Sequence, residues 1–166
     1  MKLFLYPGFR DRVASIREYY DGIDIDEAVF RYQLACLPLL QSFFTDDVSR
    51  RAYETACRYW NEGDISTEDL RAARCSCWDY AKTIAPTSED RSCRELYMAL
   101  RALHLCSYSD MENEEDWDAV ECLLLYLQFT IEALGWDGRL EINLYKYFPR
   151  LKRKIRKIWT ATNLEY

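Results

Sequence analysis

Residues 117–134 read WDAVECLLLYLQFTIEAL, and this stretch decides the fold. Trp117, Val120, Leu124, Leu127, Ile131 and Leu134 recur three and four apart, the period of one helix face. Leu123, Leu125, Tyr126 and Phe129 fill the other faces. A helix that is apolar most of the way round is a buried one. The spacing therefore predicts a central helix, opened by Asn113 and ended by Gly135 and Gly138. Its charge-free run, Cys122 to Ile131, is about half of the ~20 residues that cross a bilayer.

The same period extends outward in both directions. A first short helix is predicted from Phe9 to Tyr20, ended by Asp21-Gly22. Asp24 and Glu27 stand as a capping box before the stripe Ile25, Val29, Tyr32, Cys36, Leu39 or Leu40, and Phe43. Pro38 is expected to kink that helix by removing a backbone bond near Leu34. A third helix follows Thr45 or Asp46, with Val48, Ala52, Ala56 and Trp60 inward and Gly63 as its left-handed cap.

Ser66 opens a fourth helix (Leu70, Ala73, Cys77, Ala81, Ile84), which Pro86 stops. Thr87 or Ser88 opens a fifth, with Cys93, Leu96 or Tyr97, Leu100 and Leu103 inward. Beyond Arg139 comes a short helix, then a last one from Pro149 with Leu151, Ile155 and Ile158. The fold class is all-α: a compact antiparallel bundle or array of seven to eight helices with no sheet. A solenoid is the second choice, since no motif of ~34 or ~40 residues repeats.

At 166 residues the chain is expected to form one domain with a real core. Five Gly and four Pro leave few sites for the turns of an all-β fold. The N-terminus MKLFLYPGF lacks the pattern of a secretory signal, and a cytoplasmic location is expected. Seven Cys cannot all pair internally, and most sit on apolar stripes, so free and mostly unreactive thiols are expected. Cys75 and Cys77 would point to opposite faces of a helix, which excludes a paired metal ligand and leaves no tetrahedral set.

No catalytic constellation is visible. His104 is the one histidine, beside the buried stripe, and the sequence has no HExxH, nucleophile elbow or phosphate-cradling loop. It reads as a structural residue hydrogen-bonded to a neighbouring helix, and no enzyme activity or cofactor is expected.

Charge is distributed unevenly. The chain carries −6, yet Lys146 to Lys157 holds seven bases and no acid, so the remainder stands at −13. From Ala102 to Gly138 there are nine acids and no Lys or Arg. Asp110, Glu112, Glu114, Glu115, Asp116, Asp118 and Glu121 crowd into twelve residues around Trp117. Part of that cluster suits the first turn of a helix. Seven acids exceed that need, and together with Trp117 they form the candidate docking surface for a cationic protein. A strongly acidic field disfavours nucleic acid, even with the basic segment.

From Tyr32 to Ala81 a further pattern appears. It runs Leu34-Ala35-Cys36-Leu37-Pro38-Leu39-Leu40, the pair Phe43-Phe44 and the turn Thr45-Asp46-Asp47. It continues in Ala52, Ala56, Arg58, the Trp60-to-Ile65 segment with Gly63, and Leu70, Ala72, Ala73, Trp78 and Ala81. This resembles the helical Imm5-type immunity proteins of bacterial polymorphic-toxin systems. The likeness covers roughly fifty residues. Beyond it, relatives are rich in Ala and His where this chain has Leu96-Tyr97-Met98 and Leu123-Leu124-Leu125. The resemblance implies a cytoplasmic protein that binds and blocks a cognate toxin domain without a cofactor. A helical adaptor recognising a peptide or protein partner is the alternative.

Overall fold

The computed structural model describes residues 7–84, 90–108 and 118–151. Within them lie eight α-helices: α1 (Pro7–Ala14), α2 (Ile16–Tyr19), α3 (Asp26–Cys36), α4 (Asp47–Asn61), α5 (Thr67–Thr83), α6 (Arg91–Cys106), α7 (Ala119–Leu134) and α8 (Gly138–Tyr147). A 3-10 segment, Leu37–Phe43, joins α3 to α4, and residues 149–151 are again helical. No strand occurs among the described residues, so the all-α expectation holds.

Helix starts follow local chemistry where the capping residue lies next to the first turn. Asp46 accepts the Ser49 amide at 2.8 Å, and Ser66 accepts the Asp69 amide at 3.1 Å. Each satisfies an amide that the helix itself leaves open. At the other end of α4, Gly63 adopts φ +69° and returns its amide to the Arg58 carbonyl, a conformation glycine adopts without a Cβ clash.

Four expected boundaries are corrected. The Asp24 carboxylate takes the Asp26 amide (2.9 Å), but α3 begins only at Asp26 and Glu27 turns to Arg31, so no capping box closes. Pro38 does not kink a continuous helix. The chain tightens into the 3-10 segment with Pro38 in its first turn, where a missing amide costs little. Asp90, whose carboxylate accepts the Ser92 amide, caps α6 in place of Thr87 or Ser88, which lie outside the described residues. Asp118 has an extended backbone and caps α7, so that helix does not run continuously from Asn113.

One cluster of buried side chains takes in residues from all eight helices and reaches Leu151. Helix α7 sits at its centre, packed against α6, α3, α1 and the 3-10 segment. Val120, Leu123, Tyr126, Leu127 and Ile131 are buried, while Leu125 emerges 40% exposed, so the apolar character of α7 is not buried all round. On α4 it is Ser49, not Val48, that faces inward with Ala52 and Ala56. Contacts Cys77–Leu100 and Arg74–Tyr108 pair rising α5 numbers with falling α6 ones, the signature of an antiparallel pair. Arg101–Phe129 shows where α6 meets α7.

Polar side chains fix the register of these packings. Tyr126 donates to the Gln33 carbonyl at 2.9 Å, and Tyr32 donates to the Leu140 carbonyl at 3.0 Å. Trp60 donates its indole N–H to the Cys106 carbonyl at 3.2 Å while its ring stacks on Phe30. Each bond lets a large aromatic body be buried without stranding its polar end.

Candidate functional site

Two helix faces meet between α5 and α6. On α5, Arg71, Arg74, Trp78 and Lys82 recur at three and four residues, hence on one face. On α6, Arg94, Tyr97, Arg101, His104 and Tyr108 follow the same rule, Tyr108 lying just past the helix end. The antiparallel pairing of the helices sets these faces side by side and makes a cationic, aromatic furrow.

Its geometry is built from rings and guanidinium groups. The Arg101 guanidinium carbon lies 5.0 Å from the Trp78 ring centre, 4.6 Å from that of Phe129 and 5.7 Å from that of Tyr97. Arg101 Nη1 also donates to the Tyr97 hydroxyl at 3.0 Å. Arg74 lies 4.0 Å over Tyr108, and Lys82 lies 5.8 Å from Trp78. Such contacts stabilise by about 0.5–1 kcal/mol each at exposed sites and more when desolvated.

His104 stands in the middle, tilted against Trp78 (5.1 Å) and edge-on to Tyr108 (5.5 Å). The expected hydrogen bond to a neighbouring helix is not among its contacts; the aromatic rings hold it instead. Burial, then the nearby Arg74 and Arg101 charges, push its pKa down to about 4. The imidazole is therefore neutral near pH 7. Between its ordinary value of 6.5 and about 4, the unfolded chain takes up a proton that the native state refuses. Stability should fall as pH drops through that window, by about 1–3 kcal/mol in all. Urea unfolding at pH 7 and pH 4.5 checks this: His104→Gln should remove that part of the acid loss, and an unchanged slope would contradict the burial of the imidazole.

Of the predicted docking residues, Asp110, Glu112, Glu114, Glu115, Asp116 and Trp117 lie outside the described residues. Asp118 and Glu121 lie within them. Asp118 is already engaged: its carboxylate accepts the Glu121 amide at 2.9 Å and pairs with Arg17 at 2.8 Å. Partial burial alone would raise its pKa, but the Glu121 amide and the Arg17 guanidinium outweigh that and hold it below the usual carboxylate range. Glu121 is exposed in the first turn of α7. Asp118 thus has a folding role as the cap of α7, and its side chain remains 40% exposed.

None of the seven cysteines is in a disulfide; Cys36, Cys77, Cys106 and Cys122 are buried and Cys75 is exposed. Burial pushes the Cys36 thiol up to about 11 and the Cys77 thiol up to about 12, which keeps both protonated and inert. No group of three His, Cys, Asp or Glu among the described residues could hold a metal ion, and none of their helices is long and apolar enough to cross a membrane.

The furrow was not anticipated from the sequence, although the two basic–aromatic stripes could have been counted there. The chain matches no family model, no curated protein and no solved structure.

Proposed function

We propose that the chain is a toxin-neutralising immunity protein that binds and blocks a cognate bacterial toxin domain in the cytoplasm. The observation that carries this reading is where the residues of the Tyr32–Ala81 resemblance fall. Leu34, Cys36, Leu37, Leu40, Phe44, Ala52, Ala56, Leu70 and Ala81 are buried, Asp46 caps α4, and Gly63 ends it with positive φ. The shared positions are those that build a scaffold, which supports a common fold over a coincidence of surface composition.

In this reading the chain does no chemistry and holds no cofactor. It covers its target with a charged surface, and the acids between Asp110 and Glu121 draw in a cationic toxin domain. A helical adaptor is the second reading, and the α5–α6 furrow favours it, because paired helix faces commonly receive a partner's segment.

The test is co-expression in bacteria with the C-terminal domain of the protein encoded immediately upstream. Growth arrest by that domain alone, relieved by this chain and accompanied by a stoichiometric complex, is the expected result. An upstream product that is harmless, or whose toxicity this chain leaves intact, would overturn the immunity reading in favour of the adaptor.

A further inference from the structure

We propose that the furrow between α5 and α6 is a second docking site, which receives an acidic segment of a protein partner through carboxylates on Arg74 and Arg101. The proposal holds whether or not that partner is a toxin.

Seven described arginines, Arg12, Arg17, Arg31, Arg50, Arg58, Arg91 and Arg139, hold a carboxylate. Arg51, Arg71, Arg94 and Arg150 have no carboxylate partner among the described residues but are exposed, whereas Arg74 and Arg101 have none there and are half-buried. Partial burial of an unpaired cation is unfavourable, and here aromatic rings and one hydroxyl are its compensation. A guanidinium lying against a ring still offers the N–H edge that takes a carboxylate bidentately. The rings also fix that edge in advance, which lowers the ordering cost of binding. Both guanidinium groups act on the same imidazole, His104, so they flank one short stretch of surface.

The chemistry favours a carboxylate segment over nucleic acid. Single-stranded nucleic acid is gripped by stacking bases on open aromatic faces. Here Trp78 already carries Arg101, Lys82 and His104 against its ring, and Tyr108 carries Arg74. A long polyanion would also meet the field of a chain at −6. A short acidic segment meets mainly the local field, because charges beyond about 8 Å are screened at physiological salt. Lys82 is paired there with Asp79 at 2.6 Å, which leaves Arg74 and Arg101 as the cations that receive it.

The full chain, labelled with nitrogen-15, is titrated with hexaglutamate, and separately with hexalysine and a single-stranded ten-residue deoxythymidine oligonucleotide. Hexaglutamate should shift the Trp78 indole and the Arg74 and Arg101 side-chain N–H signals, with affinity falling as salt rises. Arg74→Gln and Arg101→Gln should each weaken binding about tenfold, and Arg101→Lys nearly as much, because the planar fork is lost while the charge stays. Arg51→Gln, at an exposed position of α4, should change it less than about twofold. If Arg101→Gln unfolds, Arg74→Gln alone decides. Absence of furrow shifts, indifference to Arg74→Gln, or tighter binding of the oligonucleotide would each overturn the proposal. So would hexaglutamate binding that appears only after Asp110, Glu112, Glu114, Glu115 and Asp116 are neutralised, since the furrow's occupant would then be this chain's own acids.

Discussion

Replacing Leu123 by Ala should cost about 2–5 kcal/mol of folding stability, while the same change at Leu125, two residues along α7, should cost less than about 0.5. The two side chains are chemically identical and share a helix whose sequence is apolar around most of its circumference. Leu123 is 0% exposed in the core where α7 meets its neighbours, and Leu125 is 40% exposed. Removing the first loses transfer free energy and leaves a cavity that packed neighbours fill only in part. The second already spends much of its surface in water, and its loss is absorbed by solvent. Urea unfolding of both variants, with unchanged m values, gives the comparison directly. Equal losses, or the reverse order, would mean that α7 is rotated from the position described.

That contrast also shows what was legible beforehand. Apolar period alone placed the helices, because burying one stripe per helix is the dominant free-energy gain. Caps were readable where the capping side chain adjoins a well-formed first turn, as at Asp46 and Ser66. They were misplaced where several candidates competed: Asp118 took the role expected of Asn113, and Asp24 caught an amide without closing a box with Glu27. Pro38 is expected to kink the helix, but a missing amide can equally be met by a 3-10 turn, and the apolar period does not decide between them. Burial all round α7 does not follow from its composition, since a sequence cannot tell which apolar face has no neighbour, and Leu125 lies on such a face.

The site was harder to read for a related reason. An acidic run is visible in one dimension, because its members are adjacent in the chain. The furrow needs Trp78 and Arg74 of one helix beside Arg101, His104 and Tyr108 of another, which only the α5–α6 pairing provides. His104 belongs to both accounts. Its lack of catalytic company was legible, whereas its aromatic setting was not. The cap bond of Asp118 to the Glu121 amide and its pair with Arg17 are likewise invisible in the acidic run itself.

Reversal of three acids, Glu114, Glu115 and Glu121 to Lys, should weaken a complex with a cationic toxin domain by about 2–5 kcal/mol where the pairs are desolvated. At 1.4 kcal/mol per tenfold, that carries a nanomolar complex to roughly micromolar affinity or weaker. Asp118 is left intact, because replacing a helix N-cap costs about 0.5–2 kcal/mol by itself and would confuse binding with folding. If the acids steer the encounter as proposed, the loss should appear first in the association rate at low salt, and the salt dependence of that rate should flatten. Lys152→Glu and Lys154→Glu in the basic C-terminal segment should change the affinity much less. Binding kinetics for the toxin domain recovered by co-expression, measured at two salt concentrations, separate these outcomes. A basic segment that proves essential, beside an acidic stretch that proves silent, would sink the assignment of Asp110–Glu121 as the toxin-facing surface. The cationic furrow would then be the surface to pursue, and its partner an acidic one.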